Sequence, residues 1–276
     1  MRVAWIQDIS RPHGGAECSN RTVVAAGEKL GHDIVGVTPQ NFNPWILDQA
    51  DVLIVNNFFQ FGRRLFDLIT HRLWANGTPY VVYSHDHRDL QARPDFAKKL
   101  FDKSRLNVFI SPRHMGNYVR GLGCDGVVLP LAIDVELFRP VPGIERQAGL
   151  ALIVGGWMRG GKVGKELRAF IQGNGDCRYL SVGLPVPGAE LLPKQPLEKM
   201  PEVYSRASSL VHFPDMECAG ERVVFEAALC GVREFHLGER VGHASWGYDL
   251  SDDAGLRKTL REAPVEFWRL VEERCA

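Results

Sequence analysis

Ser208-Ser-Leu-Val-His-Phe213-Pro214-Asp-Met-Glu217-Cys-Ala-Gly220-Glu221-Arg222-Val-Val-Phe-Glu226-Ala-Ala-Leu-Cys-Gly231 is the stretch on which the reading of this chain turns. Ser208 to Phe213 is mostly apolar, short and closed by a proline, which reads as a buried strand. Arg222 to Cys230 carries apolar residues at helical spacing and is stopped by Gly231. Between them lies a loop ending near Gly220. Strand, glycine-containing loop and helix N-terminus leave backbone N–H groups without intrahelical partners, a geometry suited to holding a phosphate. Glu217 and Glu226 flank that anion site. Carboxylates repel phosphate, so both suit acceptor roles toward the hydroxyls of a sugar or ribose. A glutamate near a helix start also simply complements the helix dipole, and each residue alone is open to that plainer reading.

Immediately upstream, Leu150 to Val154 reads as a strand and Glu166 to Gln172 as a helix. The loop between them, Gly155-Gly-Trp-Met-Arg159-Gly-Gly-Lys162-Val-Gly-Lys165, combines glycines with three cations. Arg159 and Lys162 at a strand-to-helix turn suit a diphosphate. The order of a Walker A motif is absent. Arg178 to Val182 adds a strand, Leu197 to Ala207 a helix, Arg233 to Leu237 a strand, and Gly255 to Glu273 terminal helical material.

The first half of the chain has the same pattern. Arg2 to Gln7 reads as a strand, followed by a loop with Gly14 and Gly15, a helix from Ser19 to Leu30, and a strand from Asp33 to Thr38. Such a unit predicts a parallel sheet with a right-handed crossover. The glycines permit close backbone approach to a ligand, but the spacing lacks the full GxGxxG of a dinucleotide site. Ala50 to Val55, Tyr80 to Ser84 and Asn107 to Ser111 are further strands, with helices ending near Trp74 and spanning Pro112 to Leu122. His85, Asp86 and His87 stand at the end of the Tyr80 strand, where ligands bind in open α/β sheets. Arg139 to Gly149 is rich in Pro and Gly and reads as a linker. The expected architecture is therefore α/β, with two Rossmann-like doubly wound domains over residues 1–140 and 150–276.

Composition bounds the function. The chain has 276 residues, 45% apolar and 24% charged, with 33 basic and 33 acidic side chains. Zero net charge argues against broad, non-specific nucleic-acid binding. Six cysteines without ligand spacing read as reduced thiols. No secretory signal or membrane-spanning run is evident, so a cytoplasmic location is expected. The His-x-His at 85–87 lacks further ligands at convincing spacing, and no metal is expected.

Laid out in this order, the residues resemble the retaining glycosyltransferases of the GT-B fold, family 4, over nearly the whole chain. His13-Gly-Gly-Ala-Glu17 with Gly31-His-Asp33 is similar to that family's "GGAE…GHeV" start. Ser84-His85-Asp86 resembles its strand-end His-Asp. Leu129-Pro-Leu-Ala-Ile-Asp134 through Leu137-Phe-Arg-Pro140 resembles its "P-N-G-I-D…F-x-P" stretch. Tyr204-Ser-Arg-Ala207 and Phe213-Pro214 match the run before its E-x7-E motif.

The resemblance implies a nucleotide-sugar-dependent, metal-independent transferase whose two sheets face each other across a cleft, most simply with a UDP-sugar donor. It places Gly14 and Gly15 at the junction of donor diphosphate and acceptor. His85 would contact the transferring sugar, and Lys162 the diphosphate. Arg159 would stand in for an arginine whose usual place is taken by Trp157. Glu217 would contact the donor sugar and Glu226 the ribose, with the helix N-terminus near Gly220 beside the phosphates. His85 and Glu217 are thus the expected catalytic residues.

Two departures stand out. Eight residues separate Glu217 from Glu226 where the family has seven, so either Glu221 is inserted or Cys218 occupies the first glutamate position. Leu131-Ala132 also replaces the family's Asn-Gly. A non-catalytic nucleotide-sugar-binding partner subunit remains an alternative, and a nicotinamide-dependent oxidoreductase a more remote one. The acceptor is open among a glycan, a lipid-linked sugar, a small metabolite and, in a viral setting, a modified DNA base. Phe58, Phe59, Phe61, Arg63 and Arg64 could form its surface, or could be the mixed faces of an ordinary helix.

Overall fold

A computed structural model describes residues 1–8, 14–56, 63–75, 77–87, 94–155, 164–214, 217–241 and 247–275, with backbone only at 63, 64 and 66. The chain divides into two compact units, Met1–Ala132 with Leu260–Ala276, and Ile133–Thr259.

The first unit is built on a six-stranded parallel sheet. Its strands are β1 (Arg2–Ile6), β2 (Asp33–Val37), β3 (Val52–Val55), β4 (Tyr80–Tyr83), β5 (Leu106–Phe109) and β6 (Val127–Val128). Their order is β2-β1-β3-β4-β5-β6, doubly wound from the centre. Helices α1 (Gly15–Lys29), α2 (Pro44–Asp48), α3 (Arg63–Ala75), α4 (Pro94–Lys103) and α5 (Pro112–Leu122) make the crossovers. Central strands such as Val52-Leu-Ile-Val55 are apolar throughout because both faces are covered. Ala4, Ile6, Leu53, Val55 and Val82 pack with Leu47, Ile69, Leu100, Phe101 and Tyr118. On β1 the alternate residue Trp5 instead meets Phe267 and Trp268. Helix α5 is well delimited: Ser111 Oγ accepts from the His114 N–H at 3.0 Å, Pro112 opens it, and Gly123 closes it at φ 67°.

The second unit holds a five-stranded parallel sheet in the order β11-β10-β7-β8-β9. Its strands are β7 (Gln147–Val154), β8 (Arg178–Val182), β9 (Glu190–Leu192), β10 (Ala207–His212) and β11 (Glu234–Leu237). Helices α6 (Lys165–Gly173), α7 (Met200–Arg206) and α8 (Arg222–Leu229) connect them, and α9 (Asp253–Cys275) follows. The two-sheet, doubly wound α/β fold expected from the sequence is therefore present.

The division of the chain differs in detail from the expected 1–140 and 150–276. Ile133–Pro140 already belongs to the second unit, where Phe138 is fully buried against Tyr204. Asp134 Oδ1 accepts from the N–H groups of Glu136 and Leu137, and Arg257 donates to the carbonyls of Val135 and Phe138. The Pro- and Gly-rich run at 139–149 is not a free linker. Val141 N–H bonds to Ser205 Oγ, Arg146 donates to the carbonyls of Ala207 and Cys230, and Gln147 opens β7. Helix α9 begins in the second unit, and from Leu260 its residues belong to the first.

Candidate functional site

In the second unit the pivotal stretch folds as strand, loop and helix. Strand β10 ends at His212, and α8 starts at Arg222 with Glu221 as its N-cap. Glu217 is half-buried. Cys218 and Ala219 are buried, and the Cys218 N–H bonds to the Arg240 carbonyl at 3.0 Å. Gly220 thus lies one residue before the helix cap rather than inside the first turn. Its neighbour Glu221 is buried.

Glu226 sits one turn into α8 and is only 4% exposed. Both carboxylate oxygens accept from the protein: Oε1 from Arg222 Nε at 2.8 Å, and Oε2 from the Tyr204 hydroxyl at 2.9 Å. Burial, reinforced by the Glu226 charge, pushes the Tyr204 phenol well above its ordinary range. The same causes raise the Cys230 thiol to about 12. Such a pair is an acceptor with its two strongest directions already used, although a carboxylate has lone pairs for further donors. The i, i+4 spacing of Arg222 and Glu226 was readable in the sequence; the part played by Tyr204 was not. Arg159 and Lys162 lie outside the described residues.

In the first unit, the glycine pair is the start of α1. Gly14 is its N-cap and Gly15 its first residue, so the helix begins four residues earlier than its periodicity suggests. The Glu17 carboxylate folds back onto the Gly14 N–H at 2.8 Å. Gly14 has an extended backbone, and a Cβ there would meet Glu17 Oε2 at 3.0 Å. Beneath this turn, at the carboxyl ends of β1 and β3, lies a buried amide cluster. Asn20 Nδ2 donates to Gln7 Oε1 and Asn56 Oδ1, and Asn56 Nδ2 donates to Asn20 Oδ1 and the Tyr83 carbonyl.

His85 follows β4 and is buried, its ring edge-on to Tyr83 at 4.3 Å between centroids. Next to it, the Asp86 carbonyl accepts from His114 Nε2 at 3.0 Å and the Tyr118 hydroxyl at 3.1 Å. Burial, with the His87 charge second, drives His114 well below the usual histidine range. His85, Gly14 and Gly15 therefore all belong to the carboxyl end of one sheet, whereas Glu217, Gly220 and Glu226 belong to the other unit. The acceptor candidates Phe58, Phe59 and Phe61, and the side chains of Arg63 and Arg64, lie outside the described residues. Among the described residues no three His, Cys, Asp or Glu side chains are grouped to hold a metal.

No protein-family model and no curated protein sequence matches the chain. Solved structures do. HepE of Anabaena, in complex with UDP and glucose, aligns with a TM-score of 0.62 at 11% identity, over 99% of this chain and 95% of that one. An alpha-glucosyltransferase in complex with UDP and a 13-mer DNA containing an HMU base aligns at 0.65 and 12% identity, over 100% and 94%. WaaG, a glycosyltransferase involved in lipopolysaccharide biosynthesis, aligns at 0.62 and 13% identity, over 99% and 93%. The chain has the GT-B fold. At these identities the likeness is one of fold, spanning essentially the full length of each partner.

Proposed function

We propose that the chain is a glycosyltransferase that moves a sugar from a nucleotide-sugar, most simply a UDP-sugar, to an acceptor hydroxyl with retention of configuration and without a metal. The observation that carries this reading is the full-length likeness to glycosyltransferases, two of them holding UDP. In the reaction the anomeric C–O bond to the diphosphate breaks and an acceptor oxygen bonds to the same carbon from the same face. The acceptor proton passes to the departing diphosphate. Arg159, Lys162 and the N–H groups near Gly220 would stabilise the growing phosphate charge as preorganised positive charge. Glu217 would face the oxocarbenium-like sugar, Glu226 the ribose, His85 the sugar hydroxyls, and the Gly14–Gly15 turn the diphosphate and acceptor.

The engagement of both Glu226 oxygens by Arg222 and Tyr204 favours a second reading, a nucleotide-sugar-binding subunit without transfer activity. Thermal stability against UDP-, GDP-, ADP-, CMP- and dTDP-sugars separates the two when combined with turnover. A donor at a hundred times its dissociation constant adds about 2.7 kcal/mol. A shift with one UDP-sugar, together with donor consumption that vanishes in Glu217→Ala, supports the transferase. A shift without consumption supports the subunit, and no shift from any sugar nucleotide overturns both.

The acceptor is proposed only as a hydroxyl-bearing molecule. The DNA in the alpha-glucosyltransferase complex puts a modified base in duplex DNA on the first panel to try, beside glycans, lipid-linked sugars and small metabolites. Transfer of labelled sugar to one of these identifies the class. No helix among the described residues is long and apolar enough to cross a membrane.

A further inference from the structure

The carbonyl of Asp86 carries more donors than an ordinary loop carbonyl. His114 Nε2 lies 3.0 Å from it, the Tyr118 hydroxyl 3.1 Å and the Ser84 hydroxyl 3.4 Å. The His114 tautomer follows from its other nitrogen. The Ile110 N–H donates to Nδ1 at 3.3 Å, so Nδ1 is an acceptor and the ring proton resides on Nε2, aimed at Asp86. His114 is fully buried, and its ring packs edge-on against Phe109 and His87. Tyr118 is equally buried among Phe101 and Phe109. Neither side chain has room to leave its place.

The peptide held in this way joins Asp86 to His87, one residue beyond His85. On the other side of His85, Tyr83 presents its ring at 4.3 Å, and Phe267 backs Tyr83 at 5.0 Å. His85 thus sits between two held peptides. Before it the Ser84 N–H bonds to the Val108 carbonyl at 3.0 Å, after it the Asp86–His87 peptide is clamped, and its ring packs on Tyr83. Burying a neutral imidazole and a phenol among aromatics costs desolvation unless each polar atom is paired. An apolar pair would fill the same volume but leave the Asp86 carbonyl and the Ile110 N–H without these partners. This donor set has a local effect: it fixes one peptide at the carboxyl end of a central strand, where open α/β sheets bind ligands.

We propose that His114 and Tyr118 are positioning residues, which clamp the Asp86 carbonyl and thereby set the orientation of His85 toward the donor sugar. The last step rests on the transferase reading given above; the clamp on His85 does not. A carbonyl gripped from one helix cannot rotate its peptide. The short segment from the end of β4 to the Asp86–His87 peptide is thus held at both ends, and the His85 imidazole within it keeps one attitude before substrate arrives. Preorganisation of this kind matters because a misplacement of about 1 Å costs up to about a hundredfold in rate.

The test uses the full chain with ring-labelled histidine and a pair of near-isosteric variants. His114→Gln puts an amide N–H close to the position of Nε2 and keeps the donor to Asp86. His114→Asn reproduces the atom facing Ile110 and loses that donor. Tyr118→Phe removes only the hydroxyl. The readouts are the His85 ring resonance, assigned with His85→Gln, and kcat and KM for UDP-glucose.

The proposal expects the His85 resonance to stay in place in His114→Gln and to shift or broaden in His114→Asn and Tyr118→Phe. It expects kcat to fall on the order of 10- to 100-fold in the latter two, with the donor KM little changed. A merely structural role lowers the melting temperature of both His114 variants alike and leaves the His85 ring unmoved in Tyr118→Phe; that result overturns the clamp. If the wild-type chain does not turn over or bind any sugar nucleotide, the transferase reading fails, and the ring resonance alone still decides for or against the clamp.

Discussion

The indole N–H of Trp268 donates to the main-chain carbonyl of Val23 at 2.7 Å, joining the last helix of the chain to the first. Trp268 is fully buried, with Trp5, His32 and Phe267 around it. Trp268→Phe keeps most of the apolar body and drops the hydrogen bond, and should cost about 1–2 kcal/mol. Trp268→Ala also opens a cavity and should cost about 3–5 kcal/mol. Urea unfolding of the two variants checks the difference, which separates the bond from the packing.

The same ring makes a glycine obligatory. A Cβ on Gly27 would lie 2.4 Å from Trp268, so Gly27→Ala should destabilise despite alanine's better helix propensity. Gly116, inside α5, faces only the flexible end of Arg120 at 3.3 Å. Gly116→Ala should therefore stabilise, by about 0.5–1 kcal/mol. Opposite shifts in melting temperature for two identical substitutions are the expected outcome.

Removing one partner from the Arg222–Glu226 pair strands a buried charge. Arg222→Met should cost about 3–5 kcal/mol, and a second change, Glu226→Met, should restore much of it. Tyr204→Phe leaves the ion pair and should cost less. If the double variant is no more stable than Arg222→Met, the carboxylate is better solvated than its 6% side-chain exposure implies.

Two histidines give the fold an acid sensitivity. His114 is lowered by burial and then by the charge of His87; His32 by burial and then by the terminal ammonium, with Glu272 opposing. In the folded chain both titrate below the ordinary histidine value of about 6.5. As pH falls past that value the unfolded chain takes up protons that the folded chain does not, so stability is full above it and declines below it. Each group contributes at most about 1.4 kcal/mol per pH unit. Urea unfolding at pH 7.5, 6.5 and 5.5 should show the decline, and His32→Asn should flatten it.

The strands and crossovers of both sheets were legible because parallel strands buried on both faces leave long apolar runs between glycine and proline stops. Helix α4 was overlooked although Ala97, Leu100 and Phe101 carry its buried stripe and Pro94 opens it. Strand β9 is three residues at a sheet edge, too short for any period to register. Of the candidate site, the positions of His85, Gly14, Gly15, Glu217, Gly220 and Glu226 near strand ends and helix starts were readable. What they touch was not. The Tyr204 hydroxyl reaches Glu226 from 22 residues away, and Tyr118 reaches Asp86 from 32. Only the fold creates such encounters. The passage of α9 from one unit to the other was not legible for a related reason: a helix's own sequence does not record where its packing partners change.

That shared helix has a consequence for synthesis. Trp5 and Tyr83 leave the ribosome long before Phe267 and Trp268, the aromatic residues that cover them. At ~5–20 residues per second the gap is roughly ten to fifty seconds. During that interval the rings of Trp5 and Tyr83 lack these aromatic partners on the nascent chain. The first unit is begun early and finished last, so its exposure to chaperones and to misassembly is set by the translation of the second.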